Sequence, residues 1–273
     1  GGVNLENSAR CQSMILTAEE TQVFLRILPK VYHVSPDEIL IALLAQTIMQ
    51  GCESDELVID LERHGREELS HEIQLSTTLG WFTSLFPVLL RFNRDLPLNE
   101  VLLITHKQLQ TVQRNGIGYG LLRYFKNKPV AHQASIAFNY WGQLDQTFED
   151  HFFKFQELKL ISHPENKRSY LWNVDALIKN KQLEIVWTYS SNFHKKETIE
   201  KLSKNFISDL RKVLMFDDHL KSLPKLQEII NIGYPLTPLQ LGLLFESRRF
   251  LQTSYYQIQA SWKLIGDFDP EII

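Results

Sequence analysis

Hydrophobic residues along this chain follow two periods, one typical of α-helices and the other typical of β-strands. Apolar positions three and four residues apart predict helices that begin near Thr17 and Ser35, and further helices over residues 98–112 and 194–215. Alternating or continuous apolar runs predict strands over residues 57–61, 80–90, 135–141, 170–178 and 183–190. Because strands and helices are interspersed, the pattern indicates an α/β fold, an α+β sandwich, and excludes an all-α bundle.

Local signals mark where several of these elements begin and end. Thr17 is followed by two glutamates, and Ser35-Pro-Asp-Glu38 places proline and two acids in the first turn, as N-capped helices prefer. Gly51 is expected to end the second helix. Residues 1–17 are expected to be a polar leading segment, and residues 116–124 a glycine-rich turn that opens a short helix.

A change of composition after residue 215 predicts a domain boundary. Residues 1–215 are expected to form one folded unit, whereas residues 216–233 contain Asp-Asp-His, Leu-Pro-Lys and Asn-Ile-Gly, which are typical of a linker. Residues 234–273 predict one helix and one strand. So short a segment cannot close a core of its own. We therefore expect it to be the incomplete start of a second domain, in a chain cut from something longer.

The composition is that of an ordinary globular protein. Of 273 residues, 44% are hydrophobic and 22% are charged, enough to bury a sizeable core. A formal net charge of −3 argues against binding to nucleic acid or to an anionic membrane. The two cysteines lack metal-ligand spacing and indicate a reducing, cytoplasmic location. The chain shows neither an apolar run near the ~18 residues of a membrane span nor a signal-peptide pattern.

The segment Val58-Ile-Asp-Leu-Glu62-Arg-His-Gly-Arg-Glu67 concentrates the candidate chemistry. A short strand, apolar apart from Asp60, runs directly into two carboxylates, a histidine, a glycine and two arginines. Backbone that leaves a strand at a glycine, with ionisable groups on both sides, often presents those groups to a cleft. The alternative is a charged strand end beside a core strand.

Four motifs in sequence order resemble those of epimerization domains in nonribosomal peptide synthetases. They are Glu62-Arg-His-Gly-Arg-Glu67, Gly80-Trp-Phe-Thr-Ser-Leu-Phe-Pro87, Gly116-Ile-Gly-Tyr-Gly-Leu-Leu-Arg-Tyr124 and Phe138-Asn-Tyr-Trp-Gly-Gln143. The resemblance corresponds to the C-terminal half of such a domain, and residues 234–245 resemble the opening of a condensation domain. It implies a chloramphenicol-acetyltransferase-like subdomain, followed by the first helix and strand of a second such domain. A complete domain of this family pairs two subdomains around an active-site tunnel.

The chain departs from the family pattern at two points. Arg63 stands where the first motif usually has glycine. The family's His-His-x-x-x-Asp-Gly motif lies in the N-terminal half, and this chain contains no adjacent pair of histidines. We therefore expect half of the tunnel, with its presumed base, to be missing, and the isolated chain to be inactive.

The resemblance implies catalytic roles for Glu62, Arg66, Asn139 and Tyr140. Epimerization of a thioester needs one group to remove the α-proton and another to return it on the opposite face. A carboxyl with the ordinary pKa of about 4.3 is a poor donor at neutral pH, and burial between apolar walls raises that pKa. Glu62 is therefore either an acid/base catalyst or a structural ion-pair partner of Arg66. Arg66 either orients Glu62 or is architectural.

The remaining candidates also have structural alternatives. Asn139 and Tyr140 are adjacent on a predicted strand, so only one can face the tunnel unless a bulge intervenes. His64, Trp81 and Tyr119 are candidate substrate-binding residues. His64 alternatively supports the turn through hydrogen bonds, and the other two alternatively pack in the interior.

Three functions remain open from the sequence. The chain is part of an epimerase acting on carrier-bound aminoacyl or peptidyl groups, part of a condensation-type acyltransferase, or a non-catalytic docking module. The Trp-Phe-Thr-Ser and Gly-Ile-Gly-Tyr-Gly motifs favour the first. No metal or nucleotide cofactor is expected. The resemblance implies that the phosphopantetheine arm belongs to the carrier protein and not to this chain. The expected partners are a peptidyl carrier protein, the missing N-terminal half and an adjacent condensation domain.

Overall fold

The computed structural model describes residues 2–67, 75, 78–126, 134–143 and 162–215. Their architecture is built on one six-stranded sheet with the order β1-β6-β5-β4-β2-β3. The strands are β1 (Ala9–Ile15), β2 (Glu56–Arg63), β3 (Ser84–Arg91), β4 (Ile136–Gln143), β5 (Trp172–Lys179) and β6 (Gln182–Ser190). The central strands β2, β4 and β5 run parallel, and antiparallel neighbours extend the sheet to both edges. The fold is therefore a mixed α/β sheet fold.

The described helices lie between the strands in sequence, except α6, which follows the last strand. They are α1 (Ala18–Arg26), α2 (Leu28–Tyr32), α3 (Pro36–Cys52), α4 (Leu98–Gln110), α5 (Ile117–Gly120) and α6 (Lys196–Met215). A 3-10 turn precedes α5, and a π-helical turn, Leu121–Phe125, follows it. The helix α3 packs against α4 and α6, and α1, α3, α4 and α6 each contact strands of the sheet.

Alternate residues of the strands form the core beneath these helices. In β2, β4 and β5 the buried positions alternate with half-buried ones, and the buried set packs into a single hydrophobic cluster. This set includes Ile59, Leu61, Phe138, Val174 and Ala176. We call the side of the sheet that carries these residues the helix face. The opposite side carries Asp60, Glu62, Asn139 and Asp175, and we call it the polar face.

Several predicted boundaries are confirmed because local chemistry decides them. Thr17 and Glu20 form a reciprocal capping box at the start of α1, and Ser35 and Glu38 form one at the start of α3. The predicted antiparallel pair near the C-terminal end is also confirmed. It closes through Asn180 and a lysine that both have positive φ, as two-residue hairpin turns require.

Two predicted element boundaries are wrong. Gly51 lies inside α3, which ends at Cys52, and the left-handed residue beyond it is Glu53. A Cβ at Gly51 would come within 2.7 Å of Leu202 Cδ2. The absence of a side chain at Gly51 therefore lets α6 pack closely against α3, and the glycine does not end the helix. The predicted strand over residues 80–90 begins only at Ser84.

The polar leading segment contains the edge strand β1, which pairs with β6. Its exposed and half-buried positions alternate only weakly, so the hydrophobic pattern of the sequence does not reveal it. The predicted linker, residues 216–233, and the predicted second domain, residues 234–273, lie outside the described residues. Among the described helices, none has the length and apolar content needed to cross a membrane.

Candidate functional site

Three polar residues form a row across the middle of the polar face. Asn139 on β4 is level with Asp175 on β5. The last residue pair of the ladder between β2 and β4 joins Leu61 to Phe138, so the next residue on each strand brings Glu62 level with Asn139. Since neighbouring strands lie about 4.8 Å apart, the backbones of Glu62 and Asp175 lie on either side of that of Asn139, at roughly 10 Å from each other.

Burial gives Glu62 an unusual affinity for protons. Burial raises the pKa of the Glu62 carboxyl, and the negative charge of Asp175 raises it further. Within the described residues Glu62 and Arg66 form no ion pair, so the structural alternative for Glu62 is not realised. The polar face therefore carries a carboxyl that holds its proton more readily than an ordinary glutamate, as a proton donor near neutral pH requires.

Asp175 is held in place by the neighbouring strand. The indole Nε1 of Trp141 donates a hydrogen bond of 3.2 Å to Asp175 Oδ1, and burial raises the pKa of this carboxyl. The register of β4 shifts between Tyr140 and Gly142, which takes Trp141 out of the ladder at a bulge. A bulge is thus present in β4, but it lies after Tyr140 and redirects Trp141.

A second polar cluster surrounds Asp60, two residues before Glu62. The Tyr170 hydroxyl donates a hydrogen bond of 2.6 Å to Asp60 Oδ2. Burial raises the pKa of Asp60, against the effects of this hydrogen bond and of the positive charge of Arg123. Burial and Asp60 together raise the pKa of Tyr170, and Tyr119 lies close enough to add to that effect. The candidate residue Tyr119 thus borders this cluster while packing partly against the core.

The segment after β2 makes a tight turn that depends on Gly65. Gly65 has φ of +64°, and a Cβ there would lie 1.6 Å from the carbonyl oxygen of Phe82. Across this turn the Arg66 amide donates a hydrogen bond of 3.0 Å to His64 Nδ1, and His64 Nε2 lies 3.5 Å from Glu67 Oε1. These contacts favour the turn-supporting interpretation of His64, whose side chain is otherwise largely exposed.

Arg66 organises the loop that returns to β3. Its guanidinium donates hydrogen bonds to the carbonyl oxygens of Leu75, Thr78 and Gly80 and lies 4.4 Å above the ring of Phe82. These contacts support the architectural interpretation of Arg66 and do not direct it at Glu62. The same contacts hold residues 78–82 as a loop, which explains why β3 starts later than the apolar run predicts.

Trp81 lies in this loop and is 84% exposed. The interpretation that it packs in the interior is therefore wrong, because the loop carries the indole away from the sheet. Leu79 in the same loop is 77% exposed, and Phe125 in the π-helical turn is 80% exposed.

Tyr140 lies on the helix face and not beside Asn139 on the polar face. Its side chain packs against the core, and burial together with the negative charge of Asp37 raises its pKa to about 12. The bulge comes one residue too late to turn Tyr140 over, so the strand alternation decides its direction. Tyr140 therefore lies away from the row, and Asn139 is the member of the pair that belongs to it; a catalytic role for Tyr140 stays a prediction.

Arg63, the residue that departs from the family motif, also points to the helix face. Its Nη2 lies 2.7 Å from Asp37 Oδ2, in the first turn of α3. This ion pair joins the end of β2 to the start of the helix. The departure from the motif therefore changes a contact behind the sheet and leaves the row on the polar face intact.

Sequence reasoning missed Asp175, Trp141, Asp60 and Tyr170 as members of the site. The alternation of polar and apolar residues in β5 contains a signal for Asp175, because the positions opposite the core include the polar residues Asn173 and Asp175. No such signal exists for Tyr170, which reaches Asp60 across 110 positions in sequence. Within the part of the chain that the structure describes, no three His, Cys, Asp or Glu side chains are grouped to hold a metal ion.

Comparison with known proteins agrees with this architecture. A family model described as the condensation domain matches residues 5–223. One linear gramicidin synthase subunit from Brevibacillus parabrevis is 32% identical over 294 aligned residues, which cover 96% of this chain and 4% of that protein. Bacitracin synthase 3 from Bacillus licheniformis is 29% identical, with 100% of this chain and 5% of that protein covered. The chain thus spans a small part of these relatives.

Two solved structures locate the resemblance in the fold. The epimerization domain from the third module of tyrocidine synthetase B is 28% identical, with a TM-score of 0.72 over 79% of this chain and 50% of that chain. The first condensation domain of the CDA synthetase is 13% identical, with a TM-score of 0.52 over 76% of this chain and 45% of that chain, and shares the fold alone. With most of its length matched by the family model, the chain belongs to the condensation domain family.

Proposed function

We propose that this chain is the C-terminal half of an epimerization domain in a nonribosomal peptide synthetase. In this proposal the domain converts an L-aminoacyl or peptidyl residue, held as a thioester on the phosphopantetheine arm of a carrier protein, to the D form. One observation carries the proposal: Glu62 lies on the polar face with its pKa raised by burial and by a second carboxylate. A carboxyl in this state suits proton exchange at a weakly acidic carbon.

The chemistry follows from the two-sided nature of epimerization. A group of the opposing half removes the α-proton from one face of the substrate, and the electron pair moves toward the thioester oxygen. Glu62 returns a proton to the other face, and in the reverse direction it removes one. Asn139, one strand spacing away, has an amide N–H that can donate a hydrogen bond to the developing negative charge on oxygen.

The similarity to known structures supports epimerization over amide formation. The similarity to the epimerization domain of tyrocidine synthetase B exceeds that to the condensation domain of the CDA synthetase in both identity and TM-score. The chain corresponds to 50% of the former, and in this proposal an N-terminal half of similar size faces the polar side of the sheet. The proposed partners are this N-terminal half, a peptidyl carrier protein and a following condensation domain.

The proposal is tested with a carrier protein loaded with an L-aminoacyl group that is deuterated at the α-carbon. In the complete domain, with the N-terminal half preceding this chain, we expect loss of deuterium to solvent and appearance of the D-aminoacyl group. We expect the chain alone to release no deuterium. If the complete domain instead joins the aminoacyl group to an acceptor on a second carrier without losing deuterium, the condensation alternative is correct. Binding of the carrier without either reaction indicates a docking module.

A further inference from the structure

Asp175 lies on the polar face and has no proton-transfer role in the proposed reaction. It lies on β5, level with Asn139 and two strands from Glu62. The core residues Leu61, Phe138 and Val174 occupy the positions just before these three, so all three members of the row project to the same side. A half-buried carboxylate in this position lowers the stability of the fold, so a functional role would explain its presence.

The surroundings of Asp175 fix its carboxylate in the row. Trp141 Nε1 donates to Asp175 Oδ1 at 3.2 Å, and the bulge between Tyr140 and Gly142 is what brings Trp141 to that position. Among the residues that the structure describes, Asp175 forms no ion pair with Lys, Arg or His. Its negative charge is therefore held near Glu62 and is not cancelled by a described cation.

Other charged groups near the row have different partners. Asp60, on the same strand as Glu62, is bonded to Tyr170, and Arg123 acts on that pair. Beyond the end of β2, Glu67 bonds to the side chain of Asn115 and lies near His64.

On the helix face, Arg63 pairs with Asp37. Toward the far edge of the polar face, Glu184 on β6 accepts a hydrogen bond from Ser13. The negative charge of Asp175, by contrast, raises the pKa of Glu62.

We propose that Asp175 is a positioning residue for Glu62, whose fixed negative charge across Asn139 disfavours the ionised form of Glu62 and keeps it able to carry a proton. The proposal rests on the proposed epimerization function. Asp175 itself transfers no proton to the substrate. It acts on the reaction only through Glu62, and the hydrogen bond that Trp141 donates to it favours its charged form against the effect of burial.

The test uses the whole chain and does not depend on activity. The ¹³C signals of the Glu62 and Asp175 carboxyl carbons are followed by NMR as the pH changes. In Asp175→Asn the side chain keeps its shape and an oxygen for Trp141, and we expect a lower pKa for Glu62. In Trp141→Phe we expect a higher pKa for Asp175. The matched control, Glu184→Gln, removes the same charge from the far side of the polar face and should leave the pKa of Glu62 unchanged.

The same variants in the complete domain separate this proposal from the proposed function. With Asp175→Asn, the pH profile of α-deuterium loss should move to lower pH while KM for the loaded carrier stays the same. An unchanged Glu62 pKa in folded Asp175→Asn would overturn the proposal, as would an equal effect of Glu184→Gln. If the Glu62 pKa falls as expected but the wild-type complete domain exchanges no deuterium, the proposed function fails. Asp175 then still acts on the pKa of Glu62, but this effect plays no part in epimerization.

Discussion

The two faces of the sheet differ in role, although neighbouring residues of the same strands form both. One face forms the hydrophobic core, and the other carries the candidate site. On the helix face, residues such as Phe138 and Val174 are almost completely buried in one apolar cluster. On the polar face, the next residues along, Asn139 and Asp175, are half-buried and polar. The strand period of two separates them, so a single β-strand supplies both a core and a site.

The comparison shows that the polar face is not arranged for stability. Burial raises the pKa of Asp60, Glu62 and Asp175, so the folded state binds protons more tightly than the unfolded state does. When the pH is above the folded-state pKa of a group, ionisation of that group lowers the free energy of unfolding. This loss of stability disappears as the pH falls below the pKa that the group has in the unfolded state. The carboxylates therefore cost stability at neutral pH, which is typical of groups kept for function.

The largest expected effect compares two adjacent residues of β4. Phe138 is 2% exposed, and Phe138→Ala should lower the free energy of unfolding by about 3–5 kcal/mol. Asn139→Ala, on the other face, should change it by less than about 1 kcal/mol while slowing deuterium loss in the complete domain. Urea denaturation of both variants measures the difference. Equal losses of stability would show that the polar face is as much a core as the helix face.

The next expected effect concerns the turn that leads away from the polar face. In Gly65→Ala the left-handed conformation should cost about 1–3 kcal/mol, and the overlap with the Phe82 carbonyl should cost more. In Gly118→Ala, the matched control, the new Cβ meets no atom within 4 Å, and stability should change by less than about 1 kcal/mol. Thermal unfolding of the two proteins makes the comparison. Similar melting temperatures would mean that the loop shifts freely to accept a side chain.

A smaller effect is expected for Arg63, which faces the helix side. The Arg63–Asp37 pair is mostly buried, so a double-mutant cycle with Arg63→Ala and Asp37→Ala should give a coupling energy of about 1–2 kcal/mol, between exposed and buried pairs. Deuterium loss per folded molecule should not change, because the pair lies behind the sheet. A large loss of exchange without a loss of stability would assign Arg63 to the site.

The smallest expected effect is a pH dependence on the helix side. Burial lowers the pKa of His194 below its ordinary value of 6.5, and the ring stacks edge-on against Trp172 at 4.9 Å. Because the unfolded state binds this proton more readily, stability should fall as the pH drops below about 6.5. In His194→Phe this part of the pH dependence should be absent. Denaturation at several pH values between 5 and 8 tests it, and parallel curves for the two proteins would contradict it.

Sequence reasoning predicts those parts of the molecule that depend on local chemistry. Capping residues predict the starts of α1 and α3, and the alternation of β2 together with the charged motif singles out Glu62. It fails where distant groups decide the outcome. Gly51 admits Leu202 of α6, and the place of Asp175 in the site depends on how β4 and β5 pair. The contact of Gly51 leaves no trace in the local pattern, and the alternation in β5 marks the face on which Asp175 lies without showing which strand pairs beside it.

The central claim is that Glu62 exchanges the substrate proton, and one substitution tests it most directly. In the complete domain, Glu62→Gln keeps the shape of the side chain but cannot exchange a proton near neutral pH. We expect α-deuterium loss from the loaded carrier to be abolished, while carrier binding and the free energy of unfolding are preserved. Both quantities are measured on one preparation. A well-folded Glu62→Gln variant that releases deuterium at nearly the wild-type rate would remove Glu62 from the mechanism and leave a docking role for the polar face.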